Sequence, residues 1–255
     1  MILYKHKELL LELVKREIKS KYKQSVLGYA WVLLVPLINL LVMTVVFSFF
    51  IRIPTGNVPY AIYLFAALVP WLFTLNATTL ATSSVVQNSN LITKISLPGQ
   101  IFPLASLCAK TIDFVLNFII MIILMMIFGV TLKWTLIFIP LVFAVHFLLM
   151  LGISYILSSI NVYFRDVENV IGVFMTMWMY LTPIFYPPEI VPNSIRVIFN
   201  LNPMTPLINS YRNIILYGVP PPWQSFAFVT LMSVIIFMLG SYIFKNLSRN
   251  FADVI

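Results

Sequence analysis

The sequence predicts an all-α polytopic membrane protein. It has six transmembrane helices, an N-terminal amphipathic interfacial helix, and two short external re-entrant helices before the last span. Hydrophobic residues make up 61% of the 255 residues and charged residues only 9%. Mean hydropathy is +0.98. A water-soluble globule needs more polar surface than this composition supplies. We therefore treat residues 1–255 as one transmembrane domain.

The first element, residues 5–23, reads as an amphipathic helix. Leu11, Val14 and Ile18 recur at three- and four-residue steps, the spacing of one helix face. Basic residues occupy the other side, which suits the headgroup plane of an anionic leaflet. The alternative is a solvated helix on a soluble partner. The basic residues that we expect to face lipid headgroups are Lys15, Arg16, Lys19 and Lys23.

Six apolar stretches follow, each long enough for a hydrocarbon core of about 30 Å at about 1.5 Å per helical residue. Short polar or proline-containing segments separate them. The predicted spans are Tyr29–Ile51, Tyr60–Val86, Leu104–Val130, Leu136–Ile160, Val167–Phe185 and Phe226–Leu247.

The distribution of positive charge orients these spans. With the N-terminus inside, eleven Lys and Arg residues fall in cytoplasmic segments and four fall outside. Cytoplasmic loops of membrane proteins carry the excess of Lys and Arg, so both termini are predicted to be cytoplasmic. The four external residues are Arg52, Lys133, Arg196 and Arg212.

Two connections between spans are unusual. Residues 87–103 form a cytoplasmic connection with the sequence QNSNLITKISLPGQIFP. Residues 186–224 form a long external connection with apolar pieces at Ile195–Leu201 and Leu207–Leu216. These pieces are too short to cross a bilayer, so they are predicted to be interfacial or re-entrant helices.

No catalytic or metal site is expected from the sequence. The single cysteine cannot form an intrachain disulfide, and no Gly-Lys pair provides a phosphate-binding P-loop. Lys110 and Asp113 are spaced i,i+3 in the third span, which favours mutual neutralisation over transport chemistry. His146, in the fourth span, is read as a hydrogen-bonded histidine, with a proton relay as the alternative.

Aromatic side chains gather along the fifth span. Phe174, Trp178 and Phe185 lie near one helix face, with Tyr180 beside it. Aromatic faces in a channel contact sugar rings through apolar surface without deep binding. The alternative interpretation is helix packing or an interfacial aromatic belt.

Three segments together resemble a known family. NLITKISLPGQIFPLA (Asn90–Ala105) resembles the cytoplasmic coupling segment of permease subunits in type-2 ABC exporters of O-antigen, capsule or teichoic acid. YFRDVENVIGVFMTMWMYLTPIFYP (Tyr163–Pro187) resembles their fifth span and the loop before it. LNPMTPLINSYRNIILYG (Leu201–Gly218) is similar to their external segment before the last span. The resemblance covers nearly the whole chain in order.

The resemblance implies a homodimer in the bacterial inner membrane that carries two cytoplasmic ATP-binding subunits. ATP and Mg²⁺ would bind to the partner, and this chain would hold no cofactor. A lipid-linked glycan would be the cargo, membrane lipids would be further partners, and no nucleic acid is expected. The coupling residues that the resemblance implies are Asn90, Leu91, Ile92, Lys94, Ile95, Leu97, Pro98, Arg165 and Asp166.

Other readings stay open at this point. An exporter of a drug or small lipid has the same topology, and a pair with a paralogue is the alternative to a homodimer. An ion-driven transporter is expected to show internal repeats and paired charges at the midplane. A lipid-modifying enzyme needs a nucleophile, an acid–base pair or a metal triad. The sequence shows no convincing example of these features.

Overall fold

A computed structural model describes residues 6–22, 27–56, 58–94, 97–194 and 196–254, and this part of the chain contains helices and no β-strand. Two of the helices continue into wide π-helical segments, at Val45–Phe50 and Asn213–Tyr217. The α-helices are α1 (Lys7–Tyr22), α2 (Trp31–Thr44), α3 (Tyr60–Gln87), α4 (Ser89–Lys94), α5 (Ile101–Ile127), α6 (Ile139–Tyr163), α7 (Val167–Tyr180), α8 (Arg196–Leu201), α9 (Met204–Arg212), α10 (Trp223–Leu247) and α11 (Phe251–Val254).

Helix α3 forms the centre of the bundle. It contacts α2, α5, α6, α7 and α9, and every residue from Ile62 to Trp71 is buried. Small side chains such as Ala66, Ala77 and Ala81 let neighbouring helices approach its backbone closely. A helix that is apolar on all sides is expected in the interior of a membrane bundle.

Helices α6 and α10 cross at two glycines. A Cβ atom added to Gly152 would lie 2.6 Å from the backbone nitrogen of Phe237, and one added to Gly240 would overlap the carbonyl of Gly152. The two backbones therefore touch, as small residues allow in membrane helix pairs.

A buried polar cluster joins three helices near the bundle centre. His146 of α6 is fully buried, and its Nε2 lies 2.8 Å from Thr74 Oγ1 of α3. Its Nδ1 lies 3.4 Å from the hydroxyl of Tyr211 in α9. The histidine thus has hydrogen-bonding neighbours on both ring nitrogens, as the first of the two sequence interpretations expected.

The all-α polytopic fold class is confirmed, but the fifth span differs from its prediction. Within the described residues, five helices are long and apolar enough to cross a membrane. Helix α7 has 14 residues, about 21 Å at about 1.5 Å per residue, and it ends at Tyr180 instead of Phe185. Pro183 disfavours a helical conformation at Thr182, and residues 181–186 form turns and bends. Two short helices, α8 and α9, follow in the external connection, where the sequence predicted interfacial or re-entrant helices.

Helix α1 is amphipathic, but its inward face is rotated from the predicted one. Leu13 is buried against Ile101, Phe102 and Ala105 at the start of α5, whereas Leu11 is 48% exposed. Leu9, Leu10 and Val14 pack around the same cluster. The contact surface on α5 selects this face, and the spacing of apolar residues in α1 alone does not reveal it.

Candidate functional site

The short helix α4 is held tightly at its start, at the end of the bundle that also carries α1. Asn88 ends α3 and donates from Nδ2 to the carbonyl of Ser84 at 2.7 Å. Its Oδ1 accepts a hydrogen bond from Arg16 of α1. The backbone N–H of Leu91 donates to Asn88 O at 2.9 Å, which starts α4 directly after α3. One side chain therefore ties α1, α3 and α4 together.

Helix α4 presents a polar side outward and an apolar side to the protein. Leu91 and Ile92 are half-buried and pack against the cluster around Leu13, whereas Asn90 and Thr93 are exposed. Leu97 and Pro98 are half-buried in the turn that leads to α5. The side chain of Lys94 and all of Ile95, both predicted coupling residues, lie outside what the structure describes.

The predicted lipid-facing cations of α1 have different surroundings. Lys15 is exposed and paired with Glu12 at 2.7 Å, and this hydrogen bond, with the Lys15 charge, lowers the pKa of Glu12. Arg16 turns toward Asn88, and Lys19 is exposed. Lys23 lies outside the described residues. Lys15 and Lys19 are therefore both open on the surface, and Arg16 also contacts the end of α3.

The second predicted coupling contact is the turn between α6 and α7. Arg165 and Asp166 are both exposed there, and Asp166 O accepts backbone hydrogen bonds from Asn169 and Val170 in the first turn of α7, each at 3.0 Å. The turn therefore leads directly into α7.

Helix α11 connects the regions of the two predicted contacts. Phe251 is buried between the rings of Tyr163 and Phe244, with centroid distances of 6.1 and 5.5 Å. Tyr163 also donates from its hydroxyl to Leu247 O at 2.9 Å. Because α11 contacts both α4 and α6, it links the coupling helix to the base of the Arg165–Asp166 turn.

The four aromatic residues predicted to line a channel divide into two pairs. Phe174 and Tyr180 are 52% and 56% exposed on the outer face of α7. Trp178 is half-buried, 5.8 Å from the ring of Trp71 in an edge-to-face arrangement. Phe185 is buried and stacked on Phe47 at 5.2 Å. The structure thus leaves only the first pair on an open surface.

The opposite end of α7 is held by Asn202. Its Oδ1 accepts hydrogen bonds from Trp178 Nε1 at 2.9 Å and from the backbone N–H of Met204 at 3.0 Å. Its Nδ2 lies 3.0 Å from both Leu181 O and Thr182 Oγ1. One side chain therefore fastens the end of α7 to the start of α9.

Arg212 supports the residues that follow α7. Its Nη1 and Nη2 donate to the carbonyls of Pro183 and Ile184 at 2.6 and 2.5 Å. Its guanidinium lies 3.8 Å from the centroid of the Tyr63 ring, a cation–π contact. The sequence had shown Arg212 as an external cation, and both Arg212 and Asn202 as members of the resembling segment Leu201–Gly218, with no partner for either. Their partners at the end of α7 and in the residues that follow it lie 20 to 29 residues away, beyond any local pattern.

Comparison with known proteins agrees with this architecture. The sequence profile of the ABC-2 type transporter family matches residues 8–216. The chain is 31% identical over 255 residues to the O-antigen export system permease protein RfbA of Myxococcus xanthus, covering 99% of this chain and 97% of that protein. It is 27% identical to an RfbA of Klebsiella pneumoniae, covering 97% and 95%. It is 18% identical to the polysialic acid transport protein KpsM of Escherichia coli, covering 91% and 90%.

Proposed function

Because the chain belongs to the ABC-2 type transporter family, we propose that it is the transmembrane subunit of an exporter that moves a polysaccharide across a membrane. The observation that carries this proposal is the end-to-end match to permeases named for O-antigen export and polysialic acid transport. The finer proposal is that the cargo is lipid-linked, of the O-antigen, capsule or teichoic-acid type. The membrane is the bacterial inner membrane, with both termini in the cytoplasm.

Energy for export comes from a partner protein in this proposal. The sequence contains no phosphate-binding P-loop. Two ATP-binding subunits, each binding ATP and Mg²⁺, therefore attach to two copies of this chain. Their attachment site is the α4 end of the bundle, where positive charge predominates as expected for cytoplasmic segments.

The contacts of α4 and α7 support a mechanical route from the partner to the opposite end. A push on α4 passes into α1 and α5 through Leu91 and Ile92, and into α3 through Asn88. A push on the Arg165–Asp166 turn moves the start of α7. Since Asn202 fastens the other end of α7 to α9, motion of α7 displaces the short external helices.

The outward faces of α2 and α7 are the surfaces that we assign to the dimer axis and the glycan path. Both are strongly apolar and open in the single chain, with Leu41 66% and Val173 64% exposed. Phe174 and Tyr180 lie on the open face of α7 and supply aromatic surface for sugar rings. Trp178 and Phe185 act as anchors that fix α7 to the bundle.

The coupling assignment is tested by purifying the tagged permease in mild detergent from native membranes. We expect an ATP-binding subunit to accompany it at one-to-one stoichiometry, with two copies of each chain. Changing Ile95→Asp and Leu97→Asp together removes apolar contact surface and introduces charge, so the bound ATP-binding subunit should fall at least tenfold.

Leu201→Asp provides the matched control. Leu201 is 61% exposed in α8, at the other end of the bundle, so this variant should retain the partner. A permease that keeps the ATP-binding subunit despite the double change would overturn the coupling assignment. Export of a drug in place of polysaccharide by the same complex would favour the alternative cargo.

A further inference from the structure

A cleft of about 380 Å³ with apolar walls and several polar side chains lies between α2, α3 and α5. Lys110 is nine residues into α5, about 14 Å from the start of that helix at about 1.5 Å per residue. The cleft therefore extends well into the apolar part of the bundle. The residues that matter for its chemistry are Trp31, Asn39, Asn76, Lys110, Asp113 and Asn117.

These polar groups need a polar ligand at membrane depth. Asn39 and Asn76 are exposed on helices that are long and apolar enough to cross the membrane. Asn117 is 5% exposed, and within the described residues its Oδ1 has no hydrogen-bond partner. Polar groups left unsatisfied in hydrocarbon cost several kcal/mol each, by an order-of-magnitude estimate. Hydrocarbon lipid tails do not satisfy them.

The hydrogen-bonding pattern of the cleft favours a ligand that carries hydrogen-bond donors. Asn117 Nδ2 already donates to Asp113 O at 2.8 Å, and Asn76 Nδ2 to Leu72 O at 2.8 Å. The amide oxygen of the exposed Asn76 therefore remains as an acceptor, and that of Asn117 is an unpaired acceptor in the buried wall of the cleft. Hydroxyl groups supply matching donors and can accept hydrogen bonds as well.

The charge of the cleft argues against a phosphate ligand. Lys110 Nζ lies 2.8 Å from Asp113 Oδ2, so Lys110 does not offer an isolated positive charge to a ligand. A phosphate beside Lys110 would also lie beside the Asp113 carboxylate, and like charges repel strongly where water is scarce. An uncharged ligand avoids this repulsion.

The remaining walls fit the apolar faces of a sugar ring. Trp31, Phe73 and Phe114 line the cleft, and Trp31 is 43% exposed. The volume falls within the range of about 300–1,000 Å³ that is usual for small-molecule sites. Aromatic walls combined with amide acceptors are suited to a compact, hydroxyl-rich group.

We propose that this cleft binds the uncharged, hydroxyl-rich head group of a lipid that enters sideways from the bilayer. One source is the sugar nearest the lipid in the exported glycan, which rests on the proposed function. The other source with the same chemistry is the sugar head of an uncharged glycolipid, such as a glucosyldiacylglycerol, in the surrounding membrane.

The test uses the permease with its ATP-binding subunit in phosphatidylcholine nanodiscs. Two photoreactive probes share a decyl chain carrying a diazirine, one ending in glucose and the other in phosphate. Adducts are mapped by mass spectrometry. We expect the glucoside to label peptides covering residues 31–39 and 110–117 at least fivefold more than the phosphate probe does.

Variants test whether glucoside labelling depends on the residues of the cleft or on a general change in the protein. Asn76→Leu with Asn117→Leu removes both amides and should reduce glucoside labelling at least fivefold. Asn76→Leu alone changes an exposed residue, so it tests the cleft without disturbing the core, and it should reduce labelling at least twofold. Asn161→Leu is the matched control. Asn161 is 1% exposed, its Oδ1 also lacks a partner within the described residues, and it does not line the cleft.

Unlabelled competitors identify the source of the head group. Displacement by purified lipid-linked glycan assigns the site to the cargo, and displacement by glucosyldiacylglycerol assigns it to the bilayer. Displacement by neither, equal labelling by the phosphate probe, or labelling unchanged in the Asn76→Leu/Asn117→Leu variant overturns the proposal. An unlabelled cleft in a complex that still exports polysaccharide overturns this inference alone. A labelled cleft without ATP-dependent export overturns the proposed function alone.

Discussion

At the residue scale, Arg212 supplies hydrogen-bond donors to backbone carbonyls that have no helical partner after the end of α7. Its guanidinium donates to the carbonyls of Pro183 and Ile184, which lie outside any helix. Non-helical backbone at membrane depth is tolerated where protein groups satisfy it. The planar fork of an arginine suits two adjacent carbonyls better than the single ammonium of a lysine.

Arg212→Lys is therefore expected to destabilise the protein. A lysine retains the charge but reaches only one of the two carbonyls, so one charge-assisted hydrogen bond is lost, at about 1.5–3 kcal/mol. The apparent melting temperature of the purified permease should fall, and export should fall with it. Arg196→Lys, at an exposed arginine at the same end, serves as control and should melt like the unmodified protein. Equal melting temperatures for the two variants would contradict this role of Arg212.

At the element scale, the pairing of α6 with α10 depends on the absence of side chains at Gly152 and Gly240. A methyl group at Gly240 overlaps the Gly152 carbonyl, and backbone cannot yield as a flexible side chain does. We expect Gly240→Ala to force the two helices apart and to cost about 1–3 kcal/mol, the usual range for overpacking.

Gly172→Ala tests whether this effect is specific to the crossing. Gly172 lies in α7, where an added Cβ meets nothing within 4 Å. Alanine is favoured over glycine in a helix by about 1 kcal/mol, so this variant should be neutral or slightly stabilising. Thermal unfolding of both variants provides the measurement. If Gly240→Ala is as stable as Gly172→Ala, the close backbone contact between α6 and α10 does not contribute to stability.

The helices differ in how far the sequence alone predicts them. Continuous apolar runs identified α2, α3, α5, α6 and α10 because a long membrane helix needs only local information. The fifth span was predicted to run to Phe185 although Pro183 favours an earlier end, and the contacts from Asn202 and Arg212 that stabilise this end come from far along the chain. The inward face of α1 was missed for the same kind of reason, since Ile101 and Phe102 select it.

For the candidate site, the sequence named the segments but not which of their side chains face outward. Family resemblance pointed to the α4 region and the Arg165–Asp166 turn, and it assigned both Asn90 and Ile92 to the contact with a partner. The structure distinguishes outward Asn90 from half-buried Ile92. Exposure is a property of tertiary packing. No local pattern in a six-residue helix determines it.

At the scale of the whole molecule, the bundle is fastened at both ends by buried or half-buried polar side chains. Asn88 joins α1, α3 and α4 at one end, and Asn202 with Arg212 joins α7 to α9 at the other. Between them, α2 and α7 keep open apolar faces. We propose that ATP binding by the partner moves these faces relative to a second copy and opens the path for the glycan.

The most direct test of the central claim is export by the purified complex in liposomes. Permease and ATP-binding subunit are reconstituted with lipid-linked polysaccharide, and ATP is added outside to complexes whose ATP-binding subunits face outward. The account predicts that polysaccharide becomes protected from an added lectin only with ATP, at least tenfold above the level without ATP. It also predicts that a protonophore does not change this result. Protection that needs no ATP, or that disappears with the proton gradient while ATP is held constant, would contradict the account.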